Sequence, residues 1–337
     1  MFNEQVIPKA KILTTNKQKN RWLEPRIELP ATEYRLITLA SFFLPILLWC
    51  LVSYVPFIWH PNIQITEPGE VSYFKEGMLI KREIFALESE KMLSQAKKIP
   101  QGIPANPIYL PAPDEVVRAL YTSFTTEPQR RSEQWLHESL WHSVTVVFSA
   151  FFLSSLIGIP LGIICGTYAA ASRLFEPFVE FFRYLPAPAF GALAVAILGI
   201  YDGPKIAIIF IGTFFQQVLI ISNTTRKLDL SLLEAALTLG AKKLQLLFKV
   251  VIPGVLPDIY RDQRILLGWA WTYLIVAELI GTSSGITWFI TQQARYKNFD
   301  NVFAAIFIIG VIGLLSDIIL SRLAKRLFPW DKSVNKS

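Results

Sequence analysis

Apolar positions in this chain fall into long unbroken runs instead of short alternations. One covers residues 37–58 and a second 144–168; a third ends near Ile200, and others lie at about 206–222, 265–280 and 302–320. At about 1.5 Å of rise per residue, a run of about 20 residues crosses a hydrocarbon core of about 30 Å. The pattern therefore predicts an all-α integral membrane protein with about six transmembrane helices. In the first span Pro45 and Pro56 are expected kinks, and Trp49, Tyr54 and Trp59 gather toward its far end as interfacial anchors. Polar stretches separate the runs. Residues 1–36 read as a basic cytoplasmic tail, 59–142 as a long extracytoplasmic segment, and 326–337 as a second cytoplasmic tail.

The polar stretch 229–258 is different in kind. It is too charged to span, yet its leucines repeat at helical spacing. Ser231 followed by Glu234 has the form of a capping box, in which hydroxyl and carboxylate each satisfy a free N–H at a helix start. This predicts a helix from about Leu232, closed by Gly240, which takes a left-handed conformation without penalty. A second helix follows, with Leu244, Leu247, Phe248 and Val251 on one face. Pro253 and Pro257 are expected to stop it.

Composition sharpens the picture. Hydrophobic residues make up 52% and charged residues 18%, and the mean hydropathy is +0.40, too apolar for an ordinary soluble domain. The net charge of +7 does not indicate nucleic acid, because the basic residues cluster at the ends of apolar runs, as the positive-inside rule requires. Cys50 and Cys165 lie in separate apolar runs and form no disulfide framework. No G-x-x-x-x-G-K-[ST] phosphate loop occurs, so ATP hydrolysis by that chemistry is not expected of this chain. His137 and His142 approach the H-E-x-x-H zinc pattern but stand one residue too far apart, so a regular helix turns them to different faces. No catalytic, cofactor or metal site is read.

Glu234-Ala235-Ala236, Gly240 and Val250-Val251-Ile252-Pro253 together resemble the EAA loop in permease subunits of binding-protein-dependent ABC importers. Gly158, Gly162 and Gly166, then Arg183 to Pro188, resemble the opening of that family's core. The order Arg264, Gly268-Trp269-Ala270-Trp271, Ala277-Glu278-Leu279-Ile280-Gly281 is similar to the nitrate, taurine, sulfonate and bicarbonate branch, with Asp262-Gln263 as a departure before the arginine. The resemblance implies a type I, MetI-like permease core over 143–325. Its loop 231–257 would couple to separate cytoplasmic ATPase subunits through Glu234, Ala235, Ala236, Gly240 and Pro253, with Leu244 and Phe248 holding the loop against the permease's own helices. It also implies an extracytoplasmic solute-binding protein and a second permease chain, commonly an identical one. The setting would be a bacterial inner membrane, with both termini cytoplasmic and small anions carried by alternating access.

Three readings stay open. Thr213, Gln216, Gln217, Thr272 and Glu278 are polar within spans and either join helices or line a pathway. Residues 62–106 read as an insertion, with an amphipathic helix expected over 70–98. It either caps the outer mouth, touching the binding protein, or packs only on itself. The competing function is an ATP-independent channel or secondary transporter, which would need paired intramembrane carboxylates.

Overall fold

The computed structural model describes residues 30–55, 58–128, 134–280 and 284–331. Residues 1–29 of the basic N-terminal tail, Pro56 and residues 281–283 lie outside them, whereas 31–36, expected as the end of that tail, already belong to the first helix. Among the described residues, four helices are long and apolar enough to cross a membrane: α1 (Ala31–Tyr54), α4 (Leu136–Thr167), α7 (Asp202–Arg226) and α12 (Phe299–Leu327).

The third span, expected to end near Ile200, is the second half of a bent pair. Helix α5 (Ala169–Arg183) gives way to a 3-10 turn (Ala187–Phe190) and α6 (Gly191–Leu198), with a bend of 87°. Pro186 and Pro188 cause the break, since neither can donate to an i−4 carbonyl and each disfavours helix in the residue before it.

The expected fifth span is the C-terminal half of α10 (Ile252–Leu279). Here too the reading is corrected: Pro253 and Pro257 stop nothing. A π-helical turn (Leu247–Val251) joins the short α9 (Lys243–Leu246) to α10 without interruption. Pro253 occupies the first turn of α10, where a missing N–H costs little, and Pro257 is carried inside the helix.

The insertion is not one long helix. Strands β1 (Asn62–Glu67), β2 (Leu79–Lys81) and β3 (Gln101–Ala105) form an antiparallel sheet in the order β2-β1-β3, and helix is confined to α2 (Arg82–Ser94). Ile65, Val71, Phe74, Ile80 and Met92 make a small core with Phe85 at its edge, while Met78 stays exposed. Helix α3 (Pro113–Thr125) then packs on α1 and α12 through Val116, Ala119, Trp49, Phe303 and Ala304.

The centre of the bundle is a seam between α4 and α7. Ser143, Ala150, Ser154, Gly158 and Gly162, all buried, form a stripe of small residues on α4. A Cβ added to Gly162 would meet the Ile221 Cβ at 2.7 Å, and one added to Gly166 would meet the Thr225 Cβ at 2.5 Å, so the backbones approach as closely as small residues allow. Helix α11 (Ile286–Arg295) packs onto the same core through Ile286 and Phe289. Asp317 on α12, unremarkable in the sequence, accepts a bidentate pair from Arg264 on α10, at 2.9 and 2.8 Å.

Candidate functional site

The polar loop folds into an elbow. Its first arm is α8 (Leu230–Thr238). The cap is Asp229, not Ser231: the Asp229 carboxylate accepts the Ser231 backbone N–H at 3.0 Å, and that bond, with further help from the Ser231 hydroxyl, holds the carboxyl below its ordinary range. Asp229 was the missed signal, since aspartate is as good a cap as serine and stands directly before the helical run. At the far end, Gly240 N–H donates to Leu237 O at 2.9 Å and Ala241 N–H to Ala236 O at 3.0 Å. These are the paired bonds of a Schellman motif, which requires a left-handed residue; Gly240 supplies it at φ +82.

The second arm is rooted in the bundle, but not by the whole leucine face expected from the sequence. Leu247 and Val251 are buried with Ile163, Ile221, Val255 and Ile259, whereas Leu244 is 68% exposed and Phe248 62%. The expectation that Leu244 and Phe248 clamp the loop to its own helices is therefore corrected. A π turn holds more residues than an α turn, so residues four apart lie nearly above one another; Leu247 and Val251 therefore share the buried side and Phe248 falls off it. The elbow consequently presents Leu232, Leu237, Leu239, Leu244 and Phe248 outward. Glu234 and Ala235 are also exposed and Ala236 is half-buried. Pro253 is exposed where α10 begins.

The polar residues within spans go to separate places. Gln217 is fully buried. It accepts from Ser154 Oγ at 2.6 Å, donates to Ser155 Oγ at 2.9 Å, and donates to Gln263 Oε1. Gln263, half of the departure noted in the sequence, thus ties α10 into the seam. Its neighbour Asp262 accepts from Thr224. Thr213 donates to Ile209 O at 2.8 Å and Thr272 to Gly268 O at 3.4 Å, each within its own helix. Gln216 lines a small cavity of about 60 Å3 with Arg183, Trp269 and Tyr273, and none of the other four joins it there. Glu278 is buried, accepting from Ser143 Oγ and from Thr287 N–H at 2.8 Å; Ser143 in turn accepts the Ile286 N–H at 2.8 Å. Ser143 escaped the sequence reading, although it extends the small-residue stripe that Gly158 and Gly162 announce. His142 pairs with Asp202 at 3.0 Å, and His137 lies against Phe124 and Trp135.

Spanning helices around a polar, small-residue seam, with an exposed two-helix elbow continuous with one of them, are the build of a membrane permease. Residues 158–329, about half of the chain, match the inner membrane component of binding-protein-dependent transport systems, and the chain belongs to that family. It is 32% identical to the taurine transport system permease protein TauC of Escherichia coli, over 68% of this chain and 82% of that one. It is 27% identical to the bicarbonate transport system permease protein CmpB of Synechocystis, over 54% of this chain and 66% of that one. Among solved structures, a chain of the MetNI methionine ABC transporter superposes with TM-score 0.53 at 20% identity, covering 59% of this chain and 99% of that chain. The two share the type I permease fold.

Proposed function

We propose that this chain is the membrane-spanning subunit of an ATP-driven importer that carries a small anion or sulfonate across the inner membrane. The elbow 231–257 couples it to separate ATPase subunits. The observation that carries this reading is the division of the elbow into two faces. Leu247 and Val251 root it in α4 and α7, and its second arm runs on into α10 as one continuous helical path. Meanwhile Leu237, Leu239, Leu244 and Phe248 stand exposed at a turn held rigid by its own backbone bonds. A partner seated on the outer face moves the spans through the inner one.

ATPase closure draws paired elbows together and turns a central cavity from inward- to outward-facing. This works only if the elbow binds the two ATPase states with different strength, since equal binding shifts no equilibrium. Glu234, Ala235, Ala236 and Gly240 are the coupling residues, and Pro253 starts the helix that carries the motion. A solute-binding protein delivers substrate from outside, a second identical chain completes the cavity, and both termini lie on the cytoplasmic side. The kinship with taurine, sulfonate and bicarbonate permeases supports a small anionic or zwitterionic cargo. ATP is hydrolysed by the partner, because this sequence carries no phosphate loop.

The test is uptake in cells carrying Gly240→Val or Glu234→Lys. Both variants are expected to reach the membrane, fail to transport, and fail to co-purify with an ATPase. Normal uptake by both overturns the coupling role.

A further inference from the structure

A second site lies far from the elbow, where the insertion meets the ends of the spans. A cavity of about 610 Å3 opens there, with Ser53 and Tyr54 from the last turn of α1, Asp114 and Arg118 from α3, Lys297 from the turn after α11 and Asp300 from the first turn of α12 in its walls. That volume is within the usual range for small-molecule sites, roughly 300–1,000 Å3. One turn deeper along the two spans, Trp49 stacks on Phe303 at 5.8 Å and its Nε1 donates to Pro111 O at 3.1 Å. The cavity therefore opens beyond this aromatic pair, beside the polar ends of the two spans.

Its charges are not spent on one another. Asp114 accepts the Tyr54 hydroxyl, but Arg118, Lys297 and Asp300 have no ion-pair partner among the described residues. Lys297 is also held in a left-handed conformation at φ +62. It closes α11 there, its N–H donating to Ala294 O and that of Asn298 to Gln293 O. Glycine fills such a position without steric cost and lysine does not, so backbone strain is held at this wall of the cavity, as it also is at Ala96 after α2. Glu115 also lies in the wall, its carboxylate accepting the Ala112 N–H at 2.8 Å; a lone anion in this cavity would face Asp114, Glu115 and Asp300, and a lone cation would face Arg118 and Lys297. A molecule carrying both charges meets both sets favourably.

We propose that the cavity binds a small zwitterion: an ammonium group on Asp114 and Asp300, joined by a short carbon link to a phosphate or sulfonate on Arg118 and Lys297. Two sources offer this chemistry, the head group of a zwitterionic lipid reaching in from the bilayer boundary, and a free zwitterion in solution. The proposal is independent of ATPase coupling, and either can fail without the other.

The test uses the full-length chain in nanodiscs. In phosphatidylglycerol discs, equilibrium dialysis compares labelled glycerophosphoethanolamine with glycerol phosphate and ethylammonium. In discs that also contain phosphatidylethanolamine, native mass spectrometry reads which lipid the protein retains. The expected result is retention of phosphatidylethanolamine over phosphatidylglycerol, or binding of the soluble zwitterion on the order of tenfold tighter than either single charge. Retained lipid without soluble binding identifies the head group as the source, and the converse identifies the free zwitterion. Arg118→Gln and Lys297→Gly are each expected to lower that binding on the order of tenfold. The glycine variant relieves the backbone, so its loss cannot be ascribed to misfolding. Binding in neither arm, glycerol phosphate binding as tightly as the zwitterion, or either variant at wild-type affinity overturns the proposal.

Discussion

The α4–α7 seam and the elbow both depend on glycine, for opposite physical reasons. At the seam Gly162 and Gly166 are demanded by closeness: any Cβ would enter Ile221 or Thr225. At the elbow nothing lies within 4 Å of a Cβ on Gly240, and the demand comes from the backbone angle that closes α8. The first kind of glycine is legible in tertiary contacts and governs stability. The second is local and leaves the surface open.

Leu247→Ala is expected to cost the most, about 2–5 kcal/mol for a cavity under the elbow's root. Phe248→Ala, one residue on but exposed, should leave thermal unfolding in detergent nearly unchanged while lowering uptake. Similar losses of stability from both would erase the distinction between the two faces. Gly162→Leu overpacks the seam at about 1–3 kcal/mol, and adding Ile221→Ala should recover part of the lost melting temperature; no recovery would mean the contact is not what limits that position. Gly240→Val should cost only about 1–2 kcal/mol, from left-handed strain, yet stop transport, with Gly240→Asn keeping much of it. A large melting shift without a transport defect would assign the elbow to the structural side.

The smallest effect concerns pH. Because the Ser231 N–H holds the Asp229 carboxyl below its ordinary range, this cap stabilises α8 above the unfolded value of about 3.9 and is lost as pH falls through the lower folded value. Amide exchange at Ser231 should rise over that acidic window in the native chain. Asp229→Asn, which still caps, should remove the pH dependence, and an unchanged profile would exclude this carboxyl as its cause.

Much of the insertion was misread because spacing alone cannot tell packed turns from a helix. Val71 and Phe74 do join Met92 in one core, but through turns around Pro68-Gly69 and Gly77 that break the helical path. Those turn residues were visible, and weighing them above the apolar spacing would have found the sheet. Gln263 could be flagged as an oddity but not placed, since its partners Gln217 and Ser155 lie 46 and 108 residues away along the chain.

The sequence by itself determined the four long apolar helices, where the elbow lies, and to which family the chain belongs. Each rests on properties of contiguous residues: hydropathy, capping chemistry, the angle that Gly240 permits. Only the tertiary structure decided which leucines root the elbow, that α10 passes through its prolines, and that Arg118, Lys297 and Asp300 share one cavity. Those outcomes depend on a one-residue helical bulge and on distant chain segments meeting, and helical periodicity carries neither.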